Sequence, residues 1–144
     1  MSELVTSDRV ALRIAYLNIV QGIVARLANS SSVIKGASVT VLSAMLAFSA
    51  TDGIDLRWWN FLPIGSVFMI YHAYFLQQER AFIRLYNKAA EKDICEDVSL
   101  VIDGRALREV RESYISVLTR PSIIGFHFPV ILGFSAASYI GRIA

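Results

Sequence analysis

The stretch HAYFLQQERAFIRLYN, residues 72–87, decides how this chain folds. It begins with the aromatic and aliphatic residues of a membrane helix and ends with the mixed charged and apolar residues of a helix in water. No glycine or proline marks the change, and Pro63 falls in the first helical turns, where proline is tolerated. The sequence therefore predicts one helix from residue 58 to residue 92, roughly 50 Å long, against a hydrocarbon core of about 30 Å.

The composition is typical of a membrane protein. The 144 residues are 55% hydrophobic, and the mean hydropathy of +0.50 exceeds that of an ordinary soluble domain. Residues 76–120 hold eight basic and eight acidic side chains, so no basic excess predicts a nucleic-acid partner. A single cysteine, Cys95, excludes an intrachain disulfide, and the spacing of Cys and His predicts neither a metal site nor a cofactor.

Three segments are apolar enough to be predicted as membrane spans, residues 33–50, 58–75 and 121–141. Lys35 in the first span is expected to extend its charge towards the lipid headgroups. The segment TDGIDLR, residues 51–57, is predicted as a turn that makes a helical hairpin of the first two spans. Together these features predict an all-α integral membrane protein with one membrane domain.

Residues 8–28 are apolar but interrupted by polar and charged side chains, and we expect them to form an interfacial amphipathic helix. With this helix on the surface, three spans place nearly all basic residues on one side of the membrane. Because basic residues concentrate on the cytoplasmic side, the sequence predicts a cytoplasmic N-terminus and a periplasmic C-terminus. The expected location is the bacterial inner membrane.

Beyond the second span, residues 76–120 are predicted to form a cytosolic helical hairpin. Phe75, Phe82, Tyr86 and Ala89 form an apolar line along the extended helix, and this line needs a partner outside the lipid. The amphipathic segment 98–118 is expected to fold back against it. The acidic segment EKDICED, residues 91–97, separates the two arms.

A basic row lies on another face of the extended helix, since Arg80, Arg84, Lys88 and Lys92 repeat every four residues. These cations are candidates for contact with lipid headgroups or an acidic cytosolic partner. The alternative is a solvated face on which they pair with the equally numerous acidic residues of the region.

Ionisable groups in the predicted spans are functional candidates because lipid disfavours their burial. His72 and Glu79 lie seven residues apart on one helix face, and with His127 they are candidates for a proton or ion pathway. The alternative is that both histidines form hydrogen bonds between helices and serve only packing.

A row of small or special residues runs along the third span at every fourth position. The row contains Gly125, Pro129, Gly133, Ala137 and Gly141. Such a row permits close approach of helix backbones, either inside one chain or between identical copies. We expect a homo-oligomer.

Two segments also resemble a known family. The run QGIVARLANSSSVIKGASVTVLSAMLAF, residues 21–48, resembles the N-terminal half of a family of small bacterial membrane proteins, in which a surface helix, an Asn-Ser turn and a Lys-Gly step lead into the first span. HAYFLQQERAFIRLYN is similar to the second signature of that family. The family is associated with antiviral defence loci and is similar in layout to transmembrane effectors of abortive infection.

The resemblance implies an oligomeric inner-membrane effector or subunit of a bacterial antiviral defence system. Such a protein would perturb or permeabilise the membrane in response to a cytosolic signal or a protein partner from the same locus. The alternative is a membrane anchor or scaffold that recruits a cytosolic defence enzyme through residues 76–120. An enzyme is not expected, since no nucleophile, base and orienting partner can be assembled from the sequence.

Overall fold

A computed structural model describes residues 2–51, 56–93 and 102–141 of the chain, with the side chains of residues 2–5 left aside. These residues form helices joined by short connecting segments, and they form no strand. The helices are α1 (Ser2–Ser49), α2 (Phe61–Ala90), α3 (Gly104–Val110), α4 (Tyr114–Leu118) and α5 (Pro121–Ile140), with a 3₁₀ turn at Trp58–Asn60. The predicted turn at 51–57 and the acidic segment 91–97 lie mostly outside the described residues.

Helix α2 runs without a break through the stretch that opened the sequence analysis. It begins at Phe61, after the 3₁₀ turn, and continues to Ala90. Pro63 lies in its first turn, where a backbone N–H has no helical partner in any case. The prediction of a single helix through residues 72–87 is therefore confirmed.

Helix α1 differs from the sequence prediction because it is continuous through Asn29 and the three serines that follow, where a turn was expected. Asn and Ser favour turns, but a helix also accommodates small polar side chains that hydrogen-bond to its own carbonyls. Further along α1, Ser38 Oγ donates to the Lys35 carbonyl over 2.7 Å, and Thr40 Oγ1 donates to the Gly36 carbonyl over 3.0 Å. Without Gly or Pro at residues 29–32, nothing in the sequence terminates the helix there.

Two helices of the described chain are long and apolar enough to cross a membrane, Thr6–Ser49 within α1 and Pro121–Ile140. Helix α2 is not one of them, because His72, Gln77 and Gln78 interrupt its apolar run. The structure thus establishes an all-helical chain with two candidate membrane helices. The third span and the surface position of residues 8–28 stay predictions.

The chain divides into two compact units. The first unit comprises Met1–Asn29 and Leu76–Glu112, and the second comprises Ser30–Phe75 and Ser113–Ala144. Helices α1 and α2 each contribute residues to both units. Each unit has its own packing arrangement.

In the first unit, the apolar line of α2 packs against α1. Tyr16 and Val20 of α1 are buried together with Ala89 of α2, and Phe82 and Tyr86 pack around them. Ile102, in the segment 98–118 that was expected as the partner of this line, also packs against the cluster, so α1 is a further partner that the sequence did not predict. Large apolar side chains of α1, such as Leu12 and Ile19, are also exposed, and the interfacial position of residues 8–28 stays a prediction.

The predicted return arm, residues 98–118, is not one helix. The structure has two short helices, α3 and α4, separated by extended backbone at Arg111 and Ser113. Asp103 caps α3 by accepting a hydrogen bond from the Arg105 backbone N–H over 3.1 Å. The pair Asp103-Gly104 was a start signal inside the predicted helix, and the sequence analysis did not use it.

In the second unit, helices α2 and α5 pack closely. Gly65 of α2 faces Ile131 of α5, and the rings of Phe61 and Phe134 stack with centroids 6.5 Å apart. The short helix α4 is joined to α2 where the Tyr114 hydroxyl donates to the Ile70 carbonyl over 2.8 Å. The absence of a side chain at Gly65 is what permits the close approach.

We expect Gly65→Ala to destabilise the second unit by about 1–3 kcal/mol, because the new Cβ would overlap Ile131 Cγ1 and lie 2.8 Å from its Cδ1. Gly36→Ala is the matched control, since no atom outside its own helix backbone lies within 4 Å of an added Cβ there. Unfolding of the purified chain in detergent micelles measures both. Equal stability of the two variants would contradict the packing described here.

Candidate functional site

The two histidines of the chain meet inside the second unit. His72 of α2 and His127 of α5 are 2% and 1% exposed, and His72 Nδ1 lies 3.0 Å from His127 Nε2. One ring donates its N–H and the other accepts, so the facing nitrogens share one proton. The sequence singled out both residues, and the structure brings them into direct contact.

The periodicity of α5 explains the position of His127. The buried side of α5 carries Ile123, His127, Ile131 and Ser135 at every fourth residue, followed by Ser138. On α2, His72 is adjacent to the buried Ala73 and so faces the interior. Both histidines therefore occupy positions that an apolar residue would fill in an ordinary helix pair.

An aromatic ring and a cation complete the surroundings of the pair. The ring of Phe126 stands edge-on to His127 with centroids 5.0 Å apart, and Lys35 Nζ of α1 lies 5.7 Å from the Phe126 centroid. Lys35 was expected to extend towards headgroups, whereas its ammonium lies over this ring. Phe126 was not predicted from the sequence, because an aromatic residue in a predicted span looks like ordinary apolar packing.

Polar side chains are concentrated in the interior of the second unit. The buried polar residues are Ser31, Ser38, His72, His127, Ser135 and Ser138. The hydroxyls of Ser31, Ser135 and Ser138 form no hydrogen bond with the described part of the protein. Large apolar side chains such as Phe48, Val67 and Phe128 are exposed. The interior of the unit thus contains polar side chains beside apolar ones such as Leu42, Phe61 and Ile123, while other large apolar side chains lie on its surface.

The small-residue row of α5 faces outward. Gly125, Pro129, Gly133, Ala137 and Gly141 are all exposed. No atom outside the helix backbone lies within 4 Å of a Cβ added at Gly125 or Gly133. With Leu46 of α1, part of the row lines a shallow groove. Both sequence alternatives for the row, packing within one chain and packing between copies, stay predictions.

Two cations of the basic row of α2 share one acidic residue of the first unit that was not singled out from the sequence. Glu112 pairs with Arg80 over 3.1 Å and with Arg84, and its own carbonyl accepts from Gln77 over 2.7 Å. The side chain of Glu112 is only 10% exposed. Lys88 Nζ lies 3.8 Å from Glu109 at an exposed position. These contacts favour the paired alternative over a free anion site.

The end of α2 is held by α1 in the same unit. The Arg13 guanidinium donates to the carbonyls of Lys92, over 2.7 Å, and Asp93. Lys92 therefore takes part through its backbone. Glu79 belongs to the first unit and His72 to the second, so the predicted pathway that joins them stays a prediction.

The histidine pair has the groups needed to bind and pass protons. Within residues 2–51, 56–93 and 102–141, no group of three or more His, Cys, Asp or Glu side chains is arranged to hold a metal ion. Comparison with protein-family models, with curated proteins and with solved structures gave no match. The resemblance to small bacterial membrane proteins therefore rests on the two quoted segments.

We expect Glu112→Gln to destabilise the first unit by about 1–3 kcal/mol, because a poorly solvated carboxylate bonded to two arginines is replaced by a neutral amide. Glu109→Gln is the control. Its ion pair has both side chains well exposed and should be worth at most about 1 kcal/mol. Thermal unfolding combined with limited proteolysis of residues 76–112 measures both. A larger effect at Glu109 would contradict the assigned role of Glu112.

Proposed function

We propose that this chain is an integral protein of the bacterial inner membrane that assembles from identical copies and perturbs or permeabilises the bilayer in response to a cytosolic signal or partner. The observation that carries the proposal is the second unit's mixture of buried serine and histidine side chains with large apolar side chains exposed on its surface. Burial of apolar surface contributes about 25 cal/mol per Å², so leaving these exposed side chains in water would forgo part of the usual driving force for folding. In a lipid bilayer these side chains face hydrocarbon and not water, so this loss does not arise.

The polar interior supports a role in permeation. Membrane helices bury hydroxyl and imidazole groups where these join helices or line a path for ions or protons. Ser31, Ser135 and Ser138 make no bond within the described chain, so their hydroxyls do not serve as glue between its helices. A path that opens beside α5 would give these groups water as a partner.

The outward row on α5 supports assembly from identical copies. Small residues at every fourth position let two helix backbones approach closely, and this contact contributes in lipid, where no hydrophobic force drives helices together. Because the row is exposed on the described chain, a second copy can pack against it without displacing any residue.

The first unit is suited to receive the cytosolic signal or partner. Helices α1 and α2 each belong to both units, so a signal that moves the first unit acts on the same helices that carry Lys35 and His72. The resemblance of residues 21–48 and 72–87 suggests that the signal arises in antiviral defence. The scaffold alternative is less favoured, because the cations that could bind an acidic enzyme are paired within the chain. These are Arg80 and Arg84 with Glu112, and Lys88 with Glu109.

Cysteine crosslinking tests the assembly. In a Cys95→Ser background, which removes the one natural cysteine, we expect Ala137→Cys to form a disulfide-linked dimer in oxidised membranes. The neighbouring Ala136→Cys is the matched control, since both alanines are exposed on α5 and only Ala137 lies on the row. Crosslinking at Ala136 alone, or at neither position, would rule out pairing through the row.

A measurement of membrane potential tests the proposed permeabilisation. A voltage-sensitive dye reports the potential in cells that express the protein, first without phage and then under phage challenge. We expect depolarisation by the natural chain and its loss in Gly133→Leu, because the larger side chain blocks contact along the row. Gly22→Leu is the control, being an exposed glycine of α1 outside the row with equal space around it. An unchanged potential in both conditions would favour the scaffold.

A further inference from the structure

The contact between the two histidines limits how many protons the pair can carry. Each neutral imidazole has one ring proton, and a hydrogen bond across 3.0 Å requires a proton on only one of the two facing nitrogens. Adding one proton to the pair leaves this bond intact, because the new proton can occupy an outward nitrogen. Adding a second proton puts N–H groups on both facing nitrogens, and the bond is lost.

The surroundings oppose the doubly charged pair. From α1, the ammonium of Lys35 faces the same cluster across Phe126. From α4, the hydroxyl of Tyr114 is engaged by the Ile70 carbonyl, two residues before His72. The buried neighbours on α2 and α5, Ala73, Ile123 and Ile131, are apolar. Neighbours of this kind offer no negative charge to balance two imidazolium rings.

We propose that His72 and His127 form a proton-binding site in which the rings hold one added proton jointly and a second proton breaks the contact between α2 and α5. The site is therefore sensitive to pH as a pair and not as two separate histidines. It lies at a helix contact of the second unit, where loss of the bond leaves two like charges side by side. The contact then opens in acid.

The proton site stands on the geometry alone, whereas its use as a trigger for permeabilisation rests on the proposed function. Opening of the α2 and α5 contact would expose the same interior that holds Ser135 and Ser138. Acid would then increase leakage through the assembled protein. The two parts of the inference need separate measurements.

The first measurement is a pH titration of the ¹⁵N-histidine-labelled full-length chain in lipid bicelles with EDTA present, so that metal does not occupy the rings. The chain has two histidines, so the spectrum contains only the rings of interest. We expect two protonation steps separated by more than about one pH unit, as for strongly interacting groups. In His72→Asn, which keeps an amide group near the place of Nδ1, His127 should titrate in a single step. The proposed proton site would be contradicted if both rings titrated at the same pH, or if the titration curve of His127 were unchanged by His72→Asn.

The second measurement is dye release from liposomes that contain the purified protein, after a shift from neutral to acidic pH. We expect the natural chain to release dye several-fold faster in acid. The double variant His72→Asn with His127→Gln places amides near both facing nitrogens, so it can keep a hydrogen bond but cannot titrate, and its release should not depend on pH. Two-step titration without pH-dependent release would overturn the trigger and leave the proton site standing. Absence of any release at all would count against the proposed function.

Discussion

A helix in lipid must satisfy its own backbone hydrogen bonds, because the hydrocarbon core has no water to replace them. Helices α1 and α2 meet this constraint over 48 and 30 residues. The remaining architecture depends on this continuity. The same two helices build the core around Tyr16 and Val20 in the first unit and the contacts of Lys35 and His72 in the second.

Helices α1 and α2 contribute to both units but pack differently in each. In the first unit, an apolar cluster is accompanied by a nearby network in which Glu112 holds two arginines, an arrangement familiar from water-soluble proteins. In the second unit, serine and histidine side chains are buried among apolar ones, and many large apolar side chains are exposed. On α2, one kind of packing gives way to the other between Phe75 and Arg80, where the sequence changes from aromatic to polar and charged residues.

The sequence predicted what depends on local pattern. The continuous α2, the all-helical chain and the candidate histidines followed from periodicity and from the cost of ionisable groups in lipid. It did not predict that α1 takes part in packing the α2 apolar line, because Phe82 and Tyr86 fit an α1 surface as well as a return arm. The role of Glu112 was hidden for a similar reason, since its two arginines lie 28 and 32 positions away in the chain. Local patterns do not encode such distant pairings.

Arg13 attaches the residues just beyond α2 to α1. Helix α2 ends at Ala90, and local unfolding of a helix starts at its end, where the last carbonyls normally lack partners. By bonding to the carbonyls of Lys92 and Asp93, Arg13 holds the segment that follows this end against α1. Fraying of α2 from Ala90 therefore involves a segment that is itself attached to another helix. Amide hydrogen exchange near residue 90 will accordingly report on the attachment of α1.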